Sequence, residues 1–404
     1  MRVLALGGSG AMGRHAVHTA IADPGVAELV VADLDGVAAA RAAEAAGPRA
    51  RGVAVDVQDE AALERLLREA DVVMNTVGPF FRFGPPILRA AIAAGCHYLD
   101  ICDDWEPTLE MLSLDARARD AGVIGVIGLG ASPGITNLLA ARAIGELDRV
   151  DEVFTVWSLD GAASSPGEGG TGPEPSAAVV HGIHQMSGRI RTFEGGALVD
   201  QKPLQRFELE VPGVGRHPVW TIGHPESVTL PRTFRTLRRS TNACFTRPSS
   251  IAILKLITAA VDFGFASVER AARWVERLEV GEQEAPLSAT AELPADRLPP
   301  LFALARGTRG GSPASAAVVL ASAPEGGMGP ITGVPLGLGV AMLAAGELTQ
   351  TGVSAPEAAV APGAFFARLR GYCEPVPPRP EALTVTLRSW EPGDLNEAFR
   401  SAWA

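Results

Sequence analysis

Short apolar runs alternate with segments of helical period along the first 130 residues, and this alternation predicts a parallel sheet wrapped by helices. Residues 2–6 (RVLAL) make a buried strand, 14–21 a helix, 29–32 a second strand closing on Asp33, 37–46 a helix and 51–57 a third strand. The pattern continues with a helix at 60–69, a strand at 71–77, a helix at 84–94, a strand at 97–101, a helix at 106–121 and a strand at 123–128. Six strands alternating with helices predict an α/β fold, a Rossmann-type doubly wound sheet.

The periodicity changes beyond residue 150. Strands are predicted at 153–159, 189–194, 197–201, 205–211, 217–222, 227–230 (SVTL) and 315–323, with helices at 138–146, 176–187, 249–261 and 267–275. Residues 161–175, rich in Gly, Ser and Pro, read as a loop, and 280–314 as loop-rich. This mixture predicts an α+β substrate or dimerisation domain with an antiparallel sheet. An apolar helix at 332–346, capped by 352–357, is more easily buried against the first domain than left on the second. A short helix at 364–369, a stiff proline-rich spacer at 375–380 and an alternating edge strand at 382–390 follow. The predicted domains are a Rossmann domain over 1–130 rejoined by 332–372, an α+β domain over 131–331, and a tail over 373–404.

The first strand runs into Gly8, Gly10 and Gly13 on a G-x-G-x-x-G spacing, and Asp33 stands twenty residues past Gly13. Strand, glycine turn, helix, strand and acidic tip together predict a bound dinucleotide. Gly8 permits the tight turn, Gly10 lets backbone approach a diphosphate, and Gly13 lets the helix pack closely. The amides near Ser9, Ala11 and Met12, at the positive end of the helix, face the phosphates. Asp33 accepts from the adenosine ribose. A carboxylate there repels a 2′-phosphate and Leu34 offers no cation, so NAD is preferred, with NADP possible and Arg41 within the neighbouring helix. Asp56 and Val57 are candidates to border the adenine, Asp56 serving equally well as a cap for the helix at 60–69. Val77, Gly78, Pro79 and Phe80, at the carboxyl end of a strand, are candidates for the nicotinamide side, and Phe80, Phe81 and Phe83 for pocket wall or core. Gly130, Pro133 and Gly134 precede a helix and form a second cradle.

Charge and cysteine usage narrow the partners. A net charge of −11 disfavours nucleic acid and anionic membranes. No apolar run is long enough for a span, and no leader is expected ahead of the first strand. Four cysteines without a C-x-x-C pair predict free thiols in a reducing cytoplasm.

At GGSGAMG, NTVGPF, AAGCHYLDI and GLGASPGITN the chain resembles the saccharopine dehydrogenase-like family, in its glutamate-forming (saccharopine reductase) branch and its lysine 6-dehydrogenase relatives. The tail GVSAPEA…FFARL is similar to the family's carboxy-terminal segment. The resemblance implies an NAD(P)-dependent oxidoreductase acting at a C–N bond of an amine or amino-acid-like substrate, and a homodimer. It carries the cofactor turn to residues 8–13, the ribose position to Asp33, the nicotinamide loop to Gly78, Pro79 and Phe80, and the G-x-x-P-G loop to Gly130, Pro133, Gly134 and Asn137. Cys102-Asp103-Asp104 departs from the Thr/Gly/Glu turn of many relatives, leaving proton transfer and substrate recognition open.

Reaction at such a bond needs a group that exchanges a proton with the substrate. The candidates are Asp103 and Asp104 beyond the fifth strand, His181 and His184 three residues apart on a helix, Cys102 as a thiolate or a buried apolar group, and His224 with Glu226. Asp103 or His184 is the preferred choice, and Cys102, Asp103, Asp104, Ser132, His181 and His184 are expected to border the substrate cleft. Arg189, Arg191 or Arg232 could pair with a substrate carboxylate. No metal is expected, since no H-E-x-x-H accompanies the histidines. A carbonyl- or enoyl-reducing enzyme of the same fold and a non-catalytic nucleotide-binding protein are the alternatives.

Overall fold

The computed structural model describes residues 1–159, 177–279 and 297–404; the loop predicted at 161–175 and the first half of the one at 280–314 lie outside the described residues. The chain forms two compact units, Met1–Ile135 with Met328–Ala361, and Thr136–Gly327 with Pro362–Ala404.

In the first unit the elements follow as β1 (Arg2–Leu6), α1 (Gly13–Ala22), β2 (Glu28–Asp33), α2 (Gly36–Ala46), β3 (Ala50–Ala54), α3 (Glu60–Glu69) and β4 (Val72–Asn75). Then come α4 (Phe80–Ala94), β5 (His97–Asp100), α5 (Trp105–Leu112), α6 (Asp115–Asp120) and β6 (Ile124–Val126). The sheet order is Gly352–Ser354, β6, β5, β4, β1, β2, β3, with every pair parallel. The order reverses between β1 and β4, the switch point at which a doubly wound sheet opens a crevice beyond its carboxyl edge. Every residue of β4 is buried, as a strand covered on both faces requires.

Several expectations are corrected. Residues 352–357 are not simply a cap, because Gly352–Ser354 supplies the seventh strand of the sheet. The predicted helix 106–121 breaks into α5 and α6 at Ser113-Leu114. The helix predicted from 84 begins at Phe80, so Pro85 and Pro86 fall inside it, past the first turn, where each removes one backbone donor. The strand predicted to 57 stops at Ala54, which leaves Asp56 and Val57 in the following turn. The apolar helix, Met328–Ala344, is buried in the first unit over 329–343. It packs on α1 through glycines: a Cβ on Gly333 would fall 2.2 Å from the Met12 carbonyl oxygen, and one on Gly337 2.6 Å from that of Ala16.

In the second unit the order is α7 (Ile135–Gly145, its first residue closing the first unit), β7 (Arg149–Ser158), α8 (Ala177–Gln185), β8 (Ile190–Glu194), β9 (Ala197–Gln201), β10 (Arg206–Val211) and β11 (Gly215–Thr221). It continues with α9 (Glu226–Thr233), β12 (Arg239–Phe245), α10 (Pro248–Asp262), α11 (Val268–Glu279), β13 (Leu301–Arg309) and β14 (Ser312–Leu320). One sheet runs β10, β11, β12, β7, β13, β14 and Thr384–Arg388, with β8 joined to β12 and β9 to β8. It is mixed rather than wholly antiparallel, since β7 and β12 run parallel. Its core gathers Phe154, Phe302, Leu304, Val319 and Leu387. The segment SVTL, expected as a strand, lies in α9. The strands β12 and β13 arise where none was expected. Among the described residues no helix is long and apolar enough to cross a membrane.

Candidate dinucleotide site and buried polar clusters

The turn between β1 and α1 is shaped by its glycines. A Cβ on Gly13 would lie 2.2 Å from the Gly7 carbonyl oxygen, so the start of α1 closes onto the turn only without a side chain. At Gly10 a Cβ would meet nothing nearer than the Gly7 oxygen at 3.3 Å, so packing leaves room on its outer side. The Asp35 and Asp59 side chains cap α2 and α3, whereas Met12 offers α1 no side-chain cap. The Arg14 amide donates to the Gly10 carbonyl at 3.0 Å, and no Met12 side-chain cap stands between the positive end of α1 and an anion. Behind the turn, the Thr76 hydroxyl bonds to the carbonyls of Leu6 and Gly7, fixing the β4 loop against the glycine turn.

Asp33 ends β2, and the Ser9 hydroxyl donates to its Oδ2 at 2.5 Å, tying the acidic tip to the glycine turn. Leu34 beside it is exposed. Asp56 accepts from the Gln58 amide, and it is Asp59, not Asp56, that caps α3. Gly78-Pro79 leads directly into α4, whose first turn carries Phe80 buried and Phe81 exposed. The Gly130–Gly134 loop closes on itself: the Gly130 amide donates to the Pro133 carbonyl and the Ile135 amide to that of Gly130. Gly134 sits at φ +121, with its missing Cβ 2.1 Å from the Gly130 oxygen. This glycine is fixed by the loop's own backbone, whatever it holds.

Past β5, Cys102 is fully buried with its Sγ 3.6 Å from the Asp104 carbonyl and from the Thr108 hydroxyl. Burial, then the charges of Asp100 and Asp104, push its thiol well above the usual range, which favours the buried apolar group over the thiolate among the two expectations. Asp104 is buried at the start of α5, and Asp103 is half-buried. Below them a chain of buried polar groups links β4, β5 and the loop after β6. The Asp100 Oδ1 accepts from the amides of Cys102 at 3.0 Å and Gly128 at 2.7 Å. Its Oδ2 accepts from the Tyr98 hydroxyl at 2.8 Å, which itself accepts from Asn75 Nδ2 at 3.0 Å.

In the second unit, His181 is buried and His184, three residues on, is exposed, so the two do not share one environment. Arg189 and Arg232 are exposed, and Arg191 pairs with Asp200 at 2.6 Å. A cluster of polar groups surrounds Glu226, whose side chain is fully buried. Its carboxylate accepts from Thr136 at 2.5 Å and Asn242 at 2.9 Å and lies 3.3 Å from His224 Nδ1. His224 Nε2 meets Gln185 at 3.1 Å, and the His224 ring lies 5.8 Å from that of Trp157. The pairing of His224 with Glu226 is legible in sequence. Thr136, Gln185 and Asn242 carry no sequence signal, because each is drawn in from a separate element.

A glycine-turned, uncapped helix at the switch point of a parallel sheet defines the first unit as a dinucleotide-binding domain of Rossmann type. Residues 3–126 match the family described as the saccharopine dehydrogenase NADP binding domain, and over that stretch the chain is similar to saccharopine dehydrogenases. The chain is 24% identical over 248 residues, 58% of its length and 59% of the relative's, to a carboxyaminopropylagmatine dehydrogenase of Synechocystis. It is 31% identical over 102 residues, 25% of its length and 22% of the relative's, to the NADP(+), L-glutamate-forming saccharopine dehydrogenase of Schizosaccharomyces pombe. A carboxynorspermidine synthase of Vibrio alginolyticus is 26% identical over 193 residues, 43% of each chain. The chain thus spans less than two thirds of the length of these curated relatives. The solved apo saccharopine dehydrogenase (L-Glu forming) of Saccharomyces cerevisiae shares the fold at a TM-score of 0.58 and 15% identity, over 88% of this chain and 94% of that one.

Proposed function

We propose that this protein is an NAD(P)-dependent oxidoreductase acting at a carbon–nitrogen bond of an amine-bearing, amino-acid-like substrate. The observation that carries the reading is the α1 N-terminus, left without a side-chain cap behind a Gly10 whose outer side is open. When bound, the dinucleotide accepts or gives a hydride at a carbon attached to nitrogen. The amides of residues 8–13 hold the diphosphate, and Asp33, pinned by Ser9, takes the adenosine ribose. Asp56 and Val57 border the adenine. Residues 77–80 with Gly130, Pro133 and Gly134 frame the nicotinamide half.

We assign proton exchange with the substrate nitrogen to Asp103 or His184, with Asp104 and His181 shaping the surroundings. The relatives' names support the substrate class, since two are named for carboxy derivatives of an amine, carboxyaminopropylagmatine and carboxynorspermidine. The exposed Leu256, Phe263 and Phe265 on and beyond α10 support a homodimer. The family is described as NADP-binding, whereas a carboxylate at the tip of β2 disfavours a 2′-phosphate, so NAD is the preferred partner and NADP the second.

Fluorescence titration with NADH and NADPH, followed by turnover assays on keto-acid and amine pairs, tests the reading. NADH is expected to bind about tenfold more tightly than NADPH, a gap of ~1.4 kcal/mol that Asp33→Ala closes. Tighter binding of NADPH, or an unchanged ratio in Asp33→Ala, overturns the cofactor assignment. Retention of neither dinucleotide overturns the function.

A further inference from the structure

The three loops assigned above to the nicotinamide half and to proton exchange leave the carboxyl ends of β4, β5 and β6 and have no sequence in common. One buried chain of side chains reaches all three. The Asn75 Oδ1 accepts from the Val77 amide at 3.0 Å, which fixes the amide's orientation and turns its Nδ2 toward Tyr98. The Tyr98 oxygen is thereby an acceptor, and its proton points to Asp100 Oδ2. Asp100 Oδ1 holds the Cys102 and Gly128 amides, while the Asp100 backbone carbonyl takes the Leu129 amide at 2.7 Å. Gly128, at φ +75, has no room for a Cβ, which would lie 2.6 Å from Pro133 and 3.1 Å from the Cys102 oxygen.

We infer that Asp100, with Tyr98 and Asn75 behind it, is a positioning residue that fixes the loops 77–80, 101–104 and 127–134 as one rigid edge. The inference rests on the proposed function for its meaning, since those loops are where that reading places the nicotinamide and the proton-exchanging group.

The shell around Asp100 consists of donors alone: two backbone amides and one hydroxyl. Such a shell matches a carboxylate and not a carboxylic acid. A proton on Oδ2 would face the Tyr98 oxygen and force the Tyr98 proton away from Asp100, breaking the link to β4. The titratable groups facing Asp100 are Tyr98, Cys102 and Asp103, while β4 brings only the amide of Asn75 and the loop after β6 only a backbone amide. Burial raises the Asp100 carboxyl to about 6, so its charge state changes close to neutrality.

Amide hydrogen exchange on the full-length chain, corrected for intrinsic rates, reads these loops without substrate or dinucleotide. Tyr98→Phe removes one hydroxyl and adds no bulk; Asp100→Asn removes the charge. Both are expected to speed exchange about tenfold in all three loops together, while residues 7–13 keep the wild-type rate. Loosening confined to one loop, or unchanged exchange in Tyr98→Phe, overturns the inference. If Asp100→Asn fails to fold, Tyr98→Phe decides. Parallel titration with NADH and NADPH separates the two proposals: coupled loops in a chain that binds neither would remove the function and leave the positioning role.

Discussion

Gly10 and Gly13 lie three residues apart in one turn and lack a Cβ for different reasons. At Gly13 the obstacle is the protein's own backbone, 2.2 Å away; at Gly10 the nearest atom is 3.3 Å away. Gly13→Ala is therefore expected to cost more than about 2 kcal/mol of stability, because a carbonyl cannot rotate aside as a side chain does. Gly10→Ala should leave stability within about 0.5 kcal/mol and lower dinucleotide affinity about tenfold. Chemical denaturation and NADH titration of both variants separate the roles; a Gly10→Ala protein with full affinity would show that the outer side of the turn faces no ligand. Both glycines are legible in sequence as a spacing, but only the structure distinguishes a packing glycine from a ligand-facing one. Asp100 shows the same limit from the other side. Its raised carboxyl means that ionisation burdens the fold: this contribution is absent below the ordinary range near 3.8, grows as pH rises to about 6, and is constant above, on the order of 3 kcal/mol. Nothing in the string HYLD distinguishes that aspartate from a surface one.

Element by element, legibility followed hydropathy. The buried runs of β1 and β4 and the long apolar helix are read correctly because burial on all sides removes polar residues from the sequence. The strand β12 is missed for the opposite reason: Ser240, Thr241 and Asn242 are buried there, so the segment looks like a loop while its polar side chains serve the cluster around Glu226. SVTL has β-branched residues and reads as a strand, yet tertiary packing places it in α9, with Pro225 ahead of the first turn. Gly352–Ser354 is too short to give a periodic signal. The helix Met328–Ala344 is legible as apolar, but its glycine contacts with α1 are not. A Cβ on Gly337 would lie 2.5 Å from Thr19 Cβ and 2.6 Å from the Ala16 oxygen. Gly337→Ala gains about 1 kcal/mol of helix propensity and is still expected to lose about 1–3 kcal/mol net through overpacking. A urea midpoint at or above the wild-type value would show that the two helices can part at little cost.

For the whole molecule, the consequence is that the first unit is not contiguous in sequence. Its sheet is completed by Gly352–Ser354 and one of its faces is covered by Met328–Ala344, both reached only after the chain has built the bulk of the second unit. A dinucleotide held on the α1 turn therefore stabilises residues more than 300 positions away, because α1 and Met328–Ala344 share backbone contacts at Met12 and Ala16. At a concentration one hundred times its dissociation constant, the ligand adds about 2.7 kcal/mol to whatever unfolds with its site. Exchange in 328–344 and 352–354 is accordingly expected to slow along with that of 7–22 when NADH is added, by about a hundredfold for amides that open only with the unit as a whole. If protection on binding stops at residue 135 and the returning segment exchanges at its unliganded rate, the helix and strand are attachments to the domain and not part of its cooperative core.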